Sequence, residues 1–230
     1  MNKIVVLTGA GISAESGIKT FRDADGLWEN HRIEDVATPQ GFIKDPALVL
    51  KFYNDRRRQL LDVEPNAGHS ALVELEKEYK VTIITQNVDD LHERAGSKHV
   101  IHLHGELRKS RSSINPDLIF DCDNDINLGD KATDGSQLRP HIVWFGEDVP
   151  MIQFAAEAVT QAQTIIVVGS SMQVYPAAGL VGFAHSKADI YYIDPKPALN
   201  YELERRKNLT VLAEPATTGV RKVVDKLLKD

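Results

Sequence analysis

Ile4-Val5-Val6-Leu7-Thr8-Gly9-Ala10-Gly11-Ile12-Ser13-Ala14 decides the architecture. Four apolar β-formers run straight into glycines. Gly9, Gly11 and Ala14 then match the dinucleotide spacing G-x-G-x-x-G/A in a strand-to-helix setting. The glycines let the backbone turn tightly and approach a pyrophosphate, whose charge faces the amides that open a helix. A tight strand–helix turn without any ligand accounts for the same residues. In the ordinary fingerprint a second strand ends in an acid about 20 positions later, to hold the adenine ribose. No such strand follows here. The acid in that setting is Asp194, after Tyr191-Tyr192-Ile193. That departure favours a fold that uses a dinucleotide as a reactant and covers its reactive end with a loop.

Working outward, short β-rich runs recur at Lys3–Thr8, Val81–Thr85, His99–Leu103, His141–Trp144, Thr164–Val168, Asp189–Ile193 and Leu209–Leu212. Several are almost continuous Val/Ile, as strands buried on both faces of a parallel sheet require. Helical spacing fills the gaps at Pro46–Leu61, Gly68–Tyr79, Ile152–Gln161, Ala177–Ser186 and Gly219–Leu228. Asp45 before Pro46 supplies an N-cap and a proline at the first helical position. This alternation predicts an α/β fold, a doubly wound parallel sheet of Rossmann-like type. Phe21–Asp45 shows no clear strand, and Ser110–Leu138 is polar and without apolar periodicity. A stretch of that length is a functional loop, a disordered segment or an inserted subdomain.

Composition narrows the classes. The chain has 230 residues, with 27 Lys+Arg against 33 Asp+Glu, a net charge of −6 that does not suit a nucleic-acid binder. Its single cysteine, Cys122, excludes a disulfide framework and a multi-cysteine metal site. No apolar run reaches the length of about 18 residues that a membrane span needs. The apolar run Ile4–Leu7 is too short for a signal peptide and glycines follow at once, so a cytoplasmic protein without membrane or nucleic-acid partners is expected.

Gly9-Ala10-Gly11-Ile12-Ser13, Gly17-Ile18-Lys19-Thr20-Phe21-Arg22, Thr85-Gln86-Asn87-Val88-Asp89-Asp90-Leu91-His92, Leu103-His104-Gly105, Gly169-Ser170-Ser171 and Val174-Tyr175-Pro176-Ala177-Ala178 stand in the order found in sirtuins. The chain resembles this family of NAD-dependent protein-lysine deacylases from Lys3 to about Leu228, apart from Ser110–Leu138. Tyr53-Asn54-Asp55-Arg56 is similar to the acyl-carboxylate reader of the desuccinylase and demalonylase branch. The resemblance implies a single catalytic domain over residues 1–230, with small-lobe insertions at about 30–65 (helical) and 106–139.

It also implies roles. His104 takes a proton from a ribose hydroxyl, which its near-neutral pKa suits. The neighbouring His99 and His102 leave the choice among histidines to the Leu-His-Gly context. Asn87 acts beside it. Gly9, Ala10, Gly11, Ala14, Phe21, Arg22, Gln86, Asn87, Asp89, Gly169, Ser170, Ser171 and Asp194 bind NAD as co-substrate. Asp89 holds the carboxamide, although Asn87 and Asp89 are equally natural helix caps. Asp194 stands where the family usually carries Asn, so it accepts but cannot donate. Val143, Phe145, Gly146 and Glu147 lie on a β-like rail for the acylated peptide, a stretch that a buried strand end explains as well.

Ala24, Tyr53 and Arg56 line the acyl pocket. Tyr53 and Arg56 share a helix face, and a guanidinium with a phenol matches a carboxylate. The alternative is a solvated basic face made by Arg56, Arg57 and Arg58.

Most sirtuins bind structural zinc through two cysteine pairs after Leu-His-Gly. Here Ser112 falls near the first of those positions and Cys122 is the only thiol, so no zinc is expected and the inserted lobe lacks the usual zinc ribbon. Asp121 to Asn127 has the alternating acids of a calcium loop, but Ile126 replaces the turn glycine and Ala132 the closing Glu, which favours a solvated acidic turn. The expected activity is removal of succinyl, malonyl or acetyl groups from protein lysines by a monomer. NAD glycohydrolase or ADP-ribosyltransferase chemistry at the same site stays open, as does a non-catalytic NAD or ADP-ribose-binding module.

Overall fold

The computed structural model describes residues 1–19 and 27–229. The expectations for Phe21, Arg22 and Ala24 therefore lie outside the described residues. In chain order the elements are β1 (Lys3–Thr8), α1 (Ala10–Ala14), the hairpin β2 (Leu27–Trp28) and β3 (His31–Arg32), then α2 (Ile33–Val36), α3 (Pro39–Lys44), α4 (Pro46–Leu61) and α5 (Ala67–Leu75). They continue with β4 (Lys80–Thr85), α6 (Leu91–Ala95), β5 (Val100–His102), β6 (Gly105–Ser112), β7 (Ile119–Asp121), β8 (Leu138–Ile142) and α7 (Ile152–Thr160). The last are β9 (Thr164–Val168), a 3₁₀ helix (Ala177–Phe183), β10 (Asp189–Ile193), α8 (Tyr201–Glu204), β11 (Leu209–Leu212) and α9 (Ala216–Leu227).

Six strands form one parallel sheet in the order β11-β10-β9-β1-β4-β5. Alternation along β1 divides the core. Val5 and Leu7 pack with Ile165, Val167, Val159 of α7 and Val181 on one face. Ile4 and Val6 pack with Ile83, Ile166, Leu72 of α5 and Val220 of α9 on the other. The chain leaves β1 toward β4 and β5 on one side and returns to β9, β10 and β11 on the other. β1 is therefore the point where strand order switches, and crevices for ligands open at the carboxyl ends of such strands. Register brings those ends level: Thr8 pairs with Thr85 and with Val168, Thr85 with His102, and Val168 with Ile193. Gly9, Gln86, Gly169 and Asp194 each follow directly on one of these residues.

Two expectations are corrected. The strand foreseen at His141–Trp144 is β8, Leu138–Ile142, and it belongs to a separate antiparallel sheet in the order β7-β6-β8. The apolar Val143 and Trp144 that suggested the strand lie just past its end. The helix foreseen at Ala177–Ser186 is the 3₁₀ helix Ala177–Phe183, in a stretch that carries Gly179 and Gly182. Ser110–Leu138 contributes to all three strands of the antiparallel sheet. This small lobe shares with α2 and α4 a third core of Val36, Val49, Phe52, Leu107, Ile142 and Trp144.

Candidate active site

The glycine loop is fixed first by its neighbour. The Gly9 amide donates to the Val168 carbonyl at 3.0 Å and the Gly11 amide to the Gly169 carbonyl at 2.8 Å. A Cβ on Gly11 would sit 2.6 Å from the Gly169 Cα, and one on Gly169, whose φ is +60°, would sit 2.3 Å from the Ile12 nitrogen. The glycines are thus required for close backbone packing between the ends of β1 and β9, before any ligand is considered. The resulting bare shelf is also what an approaching pyrophosphate needs.

Next to it, Ser13 is fully buried and bridges two residues from the end of β4. Its hydroxyl donates to Asp89 Oδ2 at 2.9 Å and accepts from Asn87 Nδ2 at 3.1 Å. Asp89 Oδ1 accepts from the Leu91 amide at 3.2 Å. Burial pushes the Asp89 carboxyl up to about 6, against the pull of these hydrogen bonds. Sequence reasoning named Asn87 and Asp89 but not Ser13, whose one signal was a small hydroxyl residue inside the glycine stretch.

Gln86 spans the crevice. Its amide nitrogen donates to Ser170 Oγ at 3.0 Å, while its main-chain carbonyl accepts a hydrogen bond from His104 Nδ1 at 3.0 Å. A carbonyl only accepts, so Nδ1 carries the hydrogen and Nε2 is the basic nitrogen. Burial lowers the His104 pKa, and the bond to Gln86 opposes the shift only in part. The ring is therefore held neutral, ready to accept a proton. Its rival His102 is engaged on both sides, by the Asn87 carbonyl at 3.3 Å and by Glu93 Oε1 at 2.7 Å. Burial lowers the His102 pKa, but Glu93 and the neighbouring groups raise it by more, so this ring favours the charged form.

His104 occupies the link between the parallel sheet and the small lobe. Gly105 follows it with φ +83°, and a Cβ there would lie 2.0 Å from the His141 carbonyl oxygen. The His104 carbonyl accepts from the Val143 amide at 2.9 Å, and the Phe145 amide donates to Ala37 at 3.0 Å. Glu147 braces this stretch from behind. It pairs with Arg139 at 2.7 Å and Arg111 at 3.1 Å, and its Oε2 accepts from the Trp144 amide at 2.8 Å. Phe145 and Gly146 are exposed and Val143 is half-buried.

On α4, Tyr53 is fully buried and its hydroxyl accepts from Trp144 Nε1 at 3.0 Å. Burial raises its pKa well above that of a free phenol. One turn on, the Arg56 guanidinium lies 4.9 Å from the centre of the Phe52 ring, and its buried Nε has no hydrogen-bond partner among the described residues. The arginine run is not a uniform solvated face. Arg57 is 1 % exposed and bonds the Leu107 carbonyl and Asn54 Oδ1, both at 2.8 Å, while Arg58 pairs with Asp55 and Asp125. The acidic turn is likewise more than solvated: Asp123 pairs with Arg108, and Ile126 is buried. Asp194, buried at the end of β10, accepts from the Lys196 amide at 2.8 Å. Ser170 is buried and Ser171 partly so. Among the described residues, no three His, Cys, Asp or Glu side chains come together as a metal-binding group, and no helix is long and apolar enough to cross a membrane.

Residues 9–176 match the model of the Sir2 family. The chain belongs to that family. A "NAD-dependent protein deacylase" of Helicobacter pylori is 57% identical over 229 residues, covering 100% of this chain and 99% of that protein. A solved complex of a Sir2 homologue with NAD is 40% identical with a TM-score of 0.88, covering 99% of this chain and 90% of that one. A mutant Sir2 homologue in complex with 2′-O-acetyl ADP-ribose is 40% identical with a TM-score of 0.87, covering 99% and 92%. The Sir2 match brings the glycine loop, the Gln86–Asp89 stretch and Leu103-His104-Gly105 under one family model.

Proposed function

We propose that this chain is an NAD-dependent protein-lysine deacylase that acts on acetyl-lysine and on lysines bearing acidic acyl groups, and that releases nicotinamide and O-acyl-ADP-ribose. One observation carries the reading. A neutral imidazole whose basic Nε2 has no hydrogen-bond partner among the described residues stands along the same sheet edge as the glycine shelf, Asp89 and Asp194. A module that only bound the nucleotide would have no use for that base.

NAD supplies the carbon from which nicotinamide departs and the ribose hydroxyl that receives the acyl group. His104 accepts the proton of that hydroxyl at Nε2. Asp89, steadied by Ser13, holds the carboxamide, and Asn87 and Gln86 face the nearby ribose. Gly9, Ala10, Gly11 and Ala14 lie along the pyrophosphate with Gly169, Ser170 and Ser171. Asp194 accepts from the adenine ribose. Phe21 and Arg22 complete the cover over the reactive end. The fit of the described groups to a dinucleotide is supported by the bare glycine shelf and by a buried carboxylate at each end of the crevice.

Val143, Phe145, Gly146 and Glu147 form the peptide rail. The amides of Val143 and Phe145 are already engaged, so pairing with the substrate strand falls to their carbonyls. Arg56 reads the acyl carboxylate beside Ala24. Tyr53, which accepts from Trp144 and retains its own proton, is the second donor. The proposal carries with it one catalytic domain with two insertions, working as a cytoplasmic monomer. The acidic charge balance supports the absence of a nucleic-acid partner.

The test is incubation of succinyl-, malonyl- and acetyl-lysine peptides with NAD, followed by mass spectrometry. Free-lysine peptide together with O-acyl-ADP-ribose is expected. Nicotinamide release without peptide turnover would replace the reading with glycohydrolase or ADP-ribosyltransferase chemistry. No turnover of NAD or peptide would leave only binding.

A further inference from the structure

Behind the glycine shelf lie two buried histidines to which the proposed reaction assigns no role. His69 on α5 and His92 on α6 are 0 % and 1 % exposed, with ring centres 4.9 Å apart at 61°. Burial lowers His69 to about 4 and takes His92 well below the ordinary imidazole range, so both rings are neutral in use. Their hydrogens can then be assigned. The Asn66 amide donates to His69 Nδ1 at 3.3 Å, which puts the proton of His69 on Nε2. His92 Nε2 meets Thr8 Oγ1 at 3.0 Å. The two remaining nitrogens, His69 Nε2 and His92 Nδ1, are buried and have no hydrogen-bond partner among the described residues. One is a donor, the other is able to accept, and their rings are in edge contact. The pair thus fills the space between Asn66, bonded to His69, and Thr8, bonded to His92.

Thr8 is the residue from which the glycine loop springs, and its carbonyl also accepts from the Gln86 amide at 2.9 Å. Asn66, at the other end of the chain, holds the far side of the same loop. Its Nδ2 donates to the Ile12 carbonyl at 2.8 Å and to Ser16 Oγ at 3.0 Å. We propose that His92, packed edge-on against His69, is a positioning residue for the dinucleotide, gripping Thr8 while Asn66 grips Ile12 so that the shelf is held at both ends in the shape that takes the nucleotide. The inference rests on the proposed use of that shelf for NAD. It adds a dedicated brace, two residues deep, on the side away from the ligand.

Thr8→Val isolates the contact, because it replaces one oxygen by a methyl group and leaves the volume unchanged. Calorimetric binding of ADP-ribose, together with kcat and KM for NAD and for an acyl peptide, is measured for Thr8→Val, Thr8→Ser, His92→Leu and the double variant Thr8→Val/His92→Leu. The expected result is about tenfold weaker ADP-ribose binding and a matching rise in the NAD KM for Thr8→Val, the loss typical of one buried hydrogen bond. The peptide KM should stay unchanged, Thr8→Ser should restore binding, and the double variant should be no worse than His92→Leu alone. If His92→Leu does not fold, Thr8→Val and Thr8→Ser decide between them. ADP-ribose binding by Thr8→Val within twofold of the parent would overturn the inference. So would loss of folding in Thr8→Val, which would assign the pair to stability. Absence of ADP-ribose binding by the unaltered protein would instead overturn the reading of the shelf itself.

Discussion

In the parallel sheet, β1 buries Ile4, Val5, Val6 and Leu7, each at 5 % exposure or less, between helices on both faces. In the antiparallel sheet, the buried residues at the end of β6 are Ser110, Arg111 and Ser112, none above 8 %. The first sheet is held by apolar area, the second by polar clamps that close over long stretches of chain. Asn54 takes both the amide and the carbonyl of Ile126, each at 2.9 Å, and Arg57 takes the Leu107 carbonyl. Apolar burial tolerates imprecise partners, whereas a buried polar group needs a particular one. The proposed base falls between the two sheets: His104 hangs on the link from β5 to β6, with its ring tied to the parallel sheet and its carbonyl tied to the small lobe.

The largest effect expected is at that link. His104→Ala should reduce deacylation about 10³-fold, within the usual contribution of general acid–base catalysis. Thermal stability should hardly change, because the ring makes a single hydrogen bond among the described residues. A large stability loss together with retained turnover would make His104 part of the joint and not its chemistry.

The lobe should behave the opposite way. Asn54→Leu strands the Ile126 amide and carbonyl and removes an acceptor from the Arg57 guanidinium. Stranded buried groups of this kind should cost about 3 kcal/mol in denaturant unfolding. A cost near zero would mean that the lobe is held by its apolar core of Val49, Phe52 and Trp144 after all.

These two regions were unequally legible in the amino-acid sequence. The ends of β1, β9, β10 and β11 and all of α4 could be read from β-rich runs, caps and helical spacing, because each of those signals is local. The edge that collects Gly9, Gln86, Gly169 and Asp194 followed once the strands were parallel. The lobe was opaque for a physical reason: nothing near Asn54 reveals that its partner is Ile126, and nothing near Glu147 reveals Arg111 and Arg139. Ser110–Leu138 therefore looked structureless, and Trp144 looked like part of a strand when its indole instead closes over Tyr53. Ser13 was missed because its value lies in Asn87 and Asp89, which arrive from another strand. The choice of His104 over His102 rested on a motif in the sequence, and the pairing of His102 with Glu93 could not be read there.

Arg56 sharpens the comparison, since α4 packs in the lobe core and also carries the residue proposed to read the acyl carboxylate. Arg56→Met should reduce succinyl removal about 30-fold, the worth of a charge-assisted pair of about 2 kcal/mol. Acetyl removal should change little. Paired steady-state assays on the two peptides check this. Equal losses on both would return Arg56 to a packing role over Phe52.

The smallest effects concern what holds the lobe together at the position where the resemblance raised the question of a zinc site. Ser112 lies near the position of the first missing cysteine, and its hydroxyl gathers several groups. It donates to Asp134 Oδ2 at 2.7 Å, meets Ser136 Oγ at 2.7 Å, and accepts from the amides of Ile114 and Asn115 at 3.0 and 2.8 Å. Asp134 closes the ring by accepting from the Ser136 amide at 3.0 Å. A hub of this kind joins two turns of the lobe, Ser112–Asn115 and Asp134–Ser136, as a metal would, with bonds that are individually weaker and do not depend on any ion. Ser112→Ala should therefore cost about 1–2 kcal/mol of stability. A strong chelator should leave both the melting temperature and the turnover of the unaltered protein where they were. If the chelator lowers either while Ser112→Ala does not, an ion holds the lobe together and the contrast between apolar sheet and hydrogen-bonded lobe gives way to one between apolar sheet and metal.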